Sequence, residues 1–181
     1  MALAIDPDFG KRGKGNACSE FNAYDYELVQ TFFQRPNVPI AKFHPICDEN
    51  AGVIVIEKPQ FTGQSEGKDP NNILELAWQG MHVAATYRGM YWAELVEYTP
   101  TQWKGGQHKP HMHWALWDVL SKRERALIGG ERTLELVKAA CACLARKHAN
   151  WRKFGYLKTT LADTLDSVAL GCVHLGRLPK P

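Results

Sequence analysis

Val53-Ile54-Val55-Ile56-Glu57-Lys58-Pro59-Gln60 decides how the rest of this chain is read. Four β-branched residues in succession predict a strand buried on both faces. The run ends on a carboxylate, and Pro59 cannot continue a ladder. An acid at the tip of a buried strand is costly unless a charge meets it. The search for that charge leads outward to the chain's other acids.

One lies at the start. Ala2-Leu3-Ala4-Ile5-Asp6 is a second short apolar strand ending on an acid, and Pro7 to Gly10 turns the chain. Lys11, Arg12 and Lys14, spaced by glycines, form a basic tip. Strands are predicted over Asn16 to Phe21 and Tyr26 to Phe33, and the short turns between them imply antiparallel neighbours. Three prolines between Arg35 and Gly52 predict a loop there. After the polar loop from Phe61 to Lys68, Asp69-Pro70 is a helix start. Ile73, Ala77, Gly80, Met81 and Ala84 predict a stripe of mostly small residues, with Gly89 ending the helix. Tyr91 to Tyr98 then reads as a strand. Strand, helix and strand make a crossover, which implies a parallel pair.

Further on, Thr99 to Lys104 is a short helical turn broken at Gly105-Gly106. A helix starting at Lys109-Pro110 is predicted to turn Trp114, Trp117 and Leu120 inward. Another, over about Glu131 to Lys147, carries Leu134, Val137, Cys141 and Leu144. The last covers Thr160 to His174. In it Asp163 and Asp166 are three apart and share a face. Small residues (Ala162, Ser167, Ala169, Gly171) flank them and permit close approach to other backbone.

Composition sets the frame. The 181 residues are 45% hydrophobic and 23% charged, with net charge +3 and six tryptophans. That fits one globular domain and is compatible with a nucleic-acid partner. Cys18, Cys47, Cys141, Cys143 and Cys172 form no Cys-x-x-Cys pair and read as free thiols of a reducing cytoplasm. No signal peptide is evident and no apolar run approaches membrane-spanning length, so a soluble cytoplasmic protein without a membrane partner is expected. His108, His111 and His113 lack a cysteine partner at zinc spacing and read as satisfied or solvent-facing.

Taken alone, each acid has a plainer meaning. Asp6 can be a turn residue, Glu57 a partner of Lys58 or another base, and Asp163 with Asp166 a solvated helix face. Together they make a set of hard oxygen donors suited to magnesium or manganese. Two such ions about 4 Å apart can activate water and stabilise a leaving oxygen.

The ordered motifs Ala4-Ile5-Asp6-Pro7, Val55-Ile56-Glu57-Lys58-Pro59 and Ala162-Asp163-Thr164-Leu165-Asp166-Ser167-Val168-Ala169-Leu170-Gly171 resemble those of the RuvC-type Holliday-junction resolvases, in the ribonuclease-H-like superfamily. Ile73 to Tyr87, Val96 to Pro100 and Trp103-Lys104 are similar to its phage-borne branch. The resemblance covers Ala2 to about Lys109 and Leu161 to His174. The strand and crossover pattern predicts an α/β protein with a mixed five-stranded sheet, three antiparallel strands then parallel ones, flanked by helices, and the resemblance implies that this is a ribonuclease-H-like fold. The resemblance also implies that Asp6, Glu57, Asp163 and Asp166 bind two metal ions, and that Lys104 and Lys109 contact or orient the scissile phosphate. Phe61 is the candidate for an aromatic residue near the junction's branch point. Lys11, Arg12, Lys14 and Lys58 are candidate DNA contacts.

The expected protein is thus one nuclease domain over 1–181, with an added helical segment at about 121–158. It would be a homodimer that nicks four-way junctions in pairs, in a bacterial or phage-infected cell. The added segment offers either a dimer interface or more DNA surface through Arg146, Lys147, His148, Arg152 and Lys153. Two alternatives stand beside this. One is a related nuclease for flaps, forks or RNA–DNA hybrids, and the other a non-catalytic DNA-structure-binding protein.

Overall fold

A computed structural model describes residues 2–7, 15–34, 52–58, 70–91, 93–146 and 154–180. They form an α/β structure around a five-stranded mixed sheet. The strands are β1 (Ala2–Asp6), β2 (Asn16–Phe21), β3 (Leu28–Gln34), β4 (Val53–Glu57) and β5 (Glu94–Tyr98). Their order is β3-β2-β1-β4-β5. β1, β2 and β3 pair antiparallel, while β4 runs parallel to both β1 and β5. β1 and β4 start and stop together, with Ala2 opposite Val53 and Ile5 opposite Ile56. Their terminal acids therefore leave the sheet at the same end.

Strand alternation sorts the side chains. Leu3, Ile5, Ile54 and Ile56 pack with Val83, Ala84 and Tyr87 of α1 (Pro70–Tyr91) on one face. Ala2, Ala4 and Val55 pack with Leu165, Val168 and Cys172 of α6 (Thr160–His174) on the other. Ile54, Val55 and Ile56 are all buried, as a strand covered on both faces requires. Asp6 and Glu57 continue the even and odd rows that face α6.

α6 descends the sheet away from these acids. Ser167 meets Ser19 of β2 through its hydroxyl at 2.5 Å. One turn further, a Cβ added at Gly171 would sit 2.1 Å from the Phe21 ring. The small residues thus do what their size allows, and the helix lies close on β1 and β2. We expect Gly171→Ala to destabilise the protein by about 1–3 kcal/mol through overpacking. Urea unfolding of the variant measures this, and an unchanged midpoint would contradict the packing. At the other face Gly80 plays the same part, since a Cβ there would lie 2.7 Å from Pro7.

The remaining helices are α2 (Pro100–Lys104), α3 (Lys109–Val119), α4 (Lys122–Leu127) and α5 (Gly130–Ala145). Thr99 and Ser121 close capping boxes on α2 and α4. Val137, Ala140 and Cys141 of α5 join the cluster that holds Leu116, Trp117 and Leu165. A 3-10 turn, Gly155–Lys158, leads into α6. Cys18, Cys141, Cys143 and Cys172 are free thiols, and Cys47 lies outside the described residues. No described helix is long and apolar enough to cross a membrane.

Several sequence expectations are corrected. The third strand starts at Leu28 rather than Tyr26, and β5 at Glu94 rather than Tyr91. α1 runs through Gly89 to Tyr91, because a single helical glycine costs only about 1 kcal/mol. Its buried stripe is Gly80, Val83, Ala84 and Tyr87, and Met81, 100° round from Gly80, is exposed. Trp114 is likewise exposed, since α3 turns Met112, His113, Leu116 and Trp117 inward. The predicted helix over 131–147 is Gly130–Ala145, preceded by the short α4. The proline-rich loop predicted over 35–52 and the cap at Asp69 lie outside the described residues, apart from Gly52.

Candidate active site

The site forms where β1 and β4 end, beneath the N-terminal half of α6. Asp6 is buried at the tip of β1, Glu57 is half-buried at the tip of β4, and Asp166 is 1% exposed on α6. The parity of the strands explains the meeting: residues 2, 4 and 6, with 53, 55 and 57, all face α6.

Two lysines come from the segment after β5. Lys104, at the end of α2, places Nζ 3.0 Å from Glu57 Oε2. The neighbouring Trp103, buried, donates its indole N–H to the same oxygen at 2.6 Å. Lys109, the first residue of α3, forms an ion pair with Asp166 Oδ2. One helical turn on, His113 is fully buried with Nε2 2.9 Å from Asp166 Oδ1. Its Nδ1 is 3.0 Å from the Tyr156 hydroxyl.

The electrostatics bind these groups into one unit. Burial, then the like charges of Glu57 and Asp166, push the Asp6 carboxyl well above its ordinary value, against Lys109 and Lys104. Among the described residues no hydrogen bond or ion pair ends on the Asp6 carboxylate. Burial also works to raise Asp166, but Lys109 and the hydrogen bond from His113 hold it below the usual carboxylate range. Burial opposes the Lys109 charge, yet Asp166 and Asp6, with Asp163 further down, keep its ammonium firmly protonated. Burial pushes His113 down, so its imidazole is neutral near pH 7.

Asp163 sits half-buried in the first turn of α6, one turn before Asp166, where a carboxylate is favourable against the helix dipole. Lys58 is exposed and pairs with Glu97 at 3.1 Å on the edge strand. Lys11, Arg12, Lys14 and Phe61 lie outside the described residues, as do Lys147, His148, Arg152 and Lys153. Arg146 is exposed at the end of α5. His108 and His111 are exposed and meet edge-on, whereas His113 is buried and hydrogen-bonded. Sequence reasoning missed His113, Tyr156 and Trp103 as site residues. A usable signal existed for one of them: Lys109 and His113 are four apart on a helix and so share a face.

Among the described residues no three His, Cys, Asp or Glu side chains converge as a ready-made metal cage. Glu57 and Asp166 instead each hold an ammonium. The donor chemistry still suits a hard divalent cation. The acids supply only oxygen, and Asp6 is a buried carboxylate crowded by two others, with no ion pair of its own among the described residues. Asp6, Glu57 and Asp166, with Asp163 beside them, are the residues that would hold it.

No family model, curated protein or solved structure matches this chain.

Proposed function

We propose that the chain is a ribonuclease-H-like, metal-dependent endonuclease that resolves four-way DNA junctions by paired phosphodiester cuts. The observation that carries this is the meeting of Asp6, Glu57 and Asp166, from both ends and the middle of the sequence, with Lys104 and Lys109 at one end of the sheet. A mixed five-stranded sheet, three antiparallel strands followed by parallel ones, is compatible with this reading.

Bound magnesium or manganese, two ions per site, would supply an activated water and charge for the leaving oxygen. The protein's own work is positional. The rigid tips of β1 and β4 fix Asp6 and Glu57, and the Trp103 N–H holds the Glu57 carboxylate in one orientation. Lys104 and Lys109 bring positive charge to where a phosphate's oxygens gain negative charge in the transition state. Two symmetric cuts require two sites related by a two-fold axis, hence a homodimer. Phosphate contacts make binding fall steeply with salt.

A labelled four-way junction incubated with magnesium, beside linear duplex, fork, flap and RNA–DNA hybrid, tests this. Paired nicks confined to the junction are expected. Cleavage of forks, flaps or hybrids in preference would move the activity to a related nuclease. Tight junction binding with no cleavage under magnesium or manganese would make the chain a binding module.

A further inference from the structure

Asp166 uses its two oxygens differently. Oδ1 faces the Nε2 of His113, which is fully buried and cannot leave. Oδ2 faces Lys109, whose side chain is 41% exposed, unlike the enclosed imidazole. An ionised carboxylate only accepts hydrogen bonds, so Nε2 carries the imidazole proton. In the neutral ring the other nitrogen, Nδ1, accepts, and the Tyr156 hydroxyl is placed to donate to it at 3.0 Å. The chain Tyr156 to His113 to Asp166 therefore runs in one direction, with its far end anchored in the 3-10 turn just before α6.

We propose that His113 and Tyr156 are positioning residues that lock Asp166 by Oδ1 and leave Oδ2 as the oxygen a divalent cation takes from Lys109. This rests on the metal-dependent reading above and extends it to two residues outside the acid set. A neutral N–H donor suits the task. It fixes the carboxylate's direction without cancelling the charge that a cation needs, whereas a second lysine would cancel it. The fixed tautomer is what the tyrosine contributes: without its hydroxyl, the ring can turn its proton away from Asp166.

The test is calorimetric titration of Mn²⁺ into metal-free protein, for wild type, Tyr156→Phe, His113→Leu and His113→Gln. Gln can place an amide N–H where Nε2–H stands. Tyr156→Phe and His113→Leu are expected to weaken Mn²⁺ binding by about 10-fold or more, and His113→Gln to recover most of the loss. Junction binding without metal should stay within about two-fold of wild type, because both side chains are buried. Equal Mn²⁺ affinity in wild type and Tyr156→Phe would overturn the proposal. So would a His113→Gln protein that folds yet binds as weakly as His113→Leu, since that marks a packing role only. If His113→Leu fails to fold, Tyr156→Phe and His113→Gln decide alone. A wild-type protein that binds no Mn²⁺ overturns the metal reading itself, and this inference with it.

Discussion

If the proposed junction cleavage holds, Glu57→Gln is expected to abolish it, lowering the rate by about 10³-fold or more, while junction binding and the fold persist. Losing one carboxylate from a metal set removes several kcal/mol of charge stabilisation, and each 1.4 kcal/mol is tenfold. The substitution is nearly isosteric. Its amide oxygen can still accept from the Trp103 indole, so the tip of β4 stays in place. What is lost is the charge that Lys104 now neutralises. Asp6→Asn is expected to be as inactive but to differ in stability. Asp6 is buried beside two other carboxylates, so its removal relieves repulsion, and the metal-free variant should melt higher than wild type. The pH dependence follows. The folded Asp6 holds its proton more tightly than the unfolded one, so its contribution is full below the ordinary value of 3.8. It is lost as pH rises through the raised folded value. Melting curves in chelator across that range should show this decline in wild type and not in Asp6→Asn. A fully active Glu57→Gln protein would remove Glu57 from the site.

The second large effect lies away from the chemistry. Arg177 grips Glu124 with two parallel bonds, at 2.6 and 2.8 Å, and also donates to the Tyr26 and Val119 carbonyls. Glu124 is fully buried and accepts from the Leu28 and Ser121 amides, both at 2.7 Å. One ion pair thereby ties the start of β3, the end of α3, the cap of α4 and the chain after α6. Arg177→Ala strands a buried carboxylate and is expected to cost about 3–5 kcal/mol, a large share of a typical domain's stability. Urea unfolding measures it, and a loss under about 1 kcal/mol would contradict the geometry. Burial works to raise Glu124, but these bonds hold its carboxyl at about 2, below its ordinary 4.5. Its contribution is full above 4.5 and is lost as pH falls toward 2, so acid should erase the difference between wild type and Arg177→Ala.

Much of the sheet was legible because its strands are short apolar runs with polar ends. Ala2–Asp6, Asn16–Phe21 and Val53–Glu57 stand where the pattern put them, and α6 spans Thr160 to His174. The acids were legible for a physical reason: a carboxylate closing a buried strand stands out against its neighbours. Burial on both faces of β4 followed from four β-branched residues in a row. The inner support of the site was not legible. His113 is one of three histidines in six residues, and only the turn of α3 separates it from the exposed His108 and His111. Tyr156 and Trp103 are aromatic residues among many, and nothing local says that their polar atoms point at His113 and Glu57. Glu124 and Arg177 are far apart in sequence, so only the folded chain pairs them. Helix faces failed where one residue of rotation mattered, at Met81 and Trp114.

Anomalous diffraction from crystals grown with Mn²⁺ tests the proposed metal site. Manganese peaks are expected between the carboxylates of Asp6, Glu57 and Asp166, with the Lys104 and Lys109 ammoniums moved off their acids. Crystals soaked in Mn²⁺ that show no peak there, with both lysines still paired to Glu57 and Asp166, would contradict it.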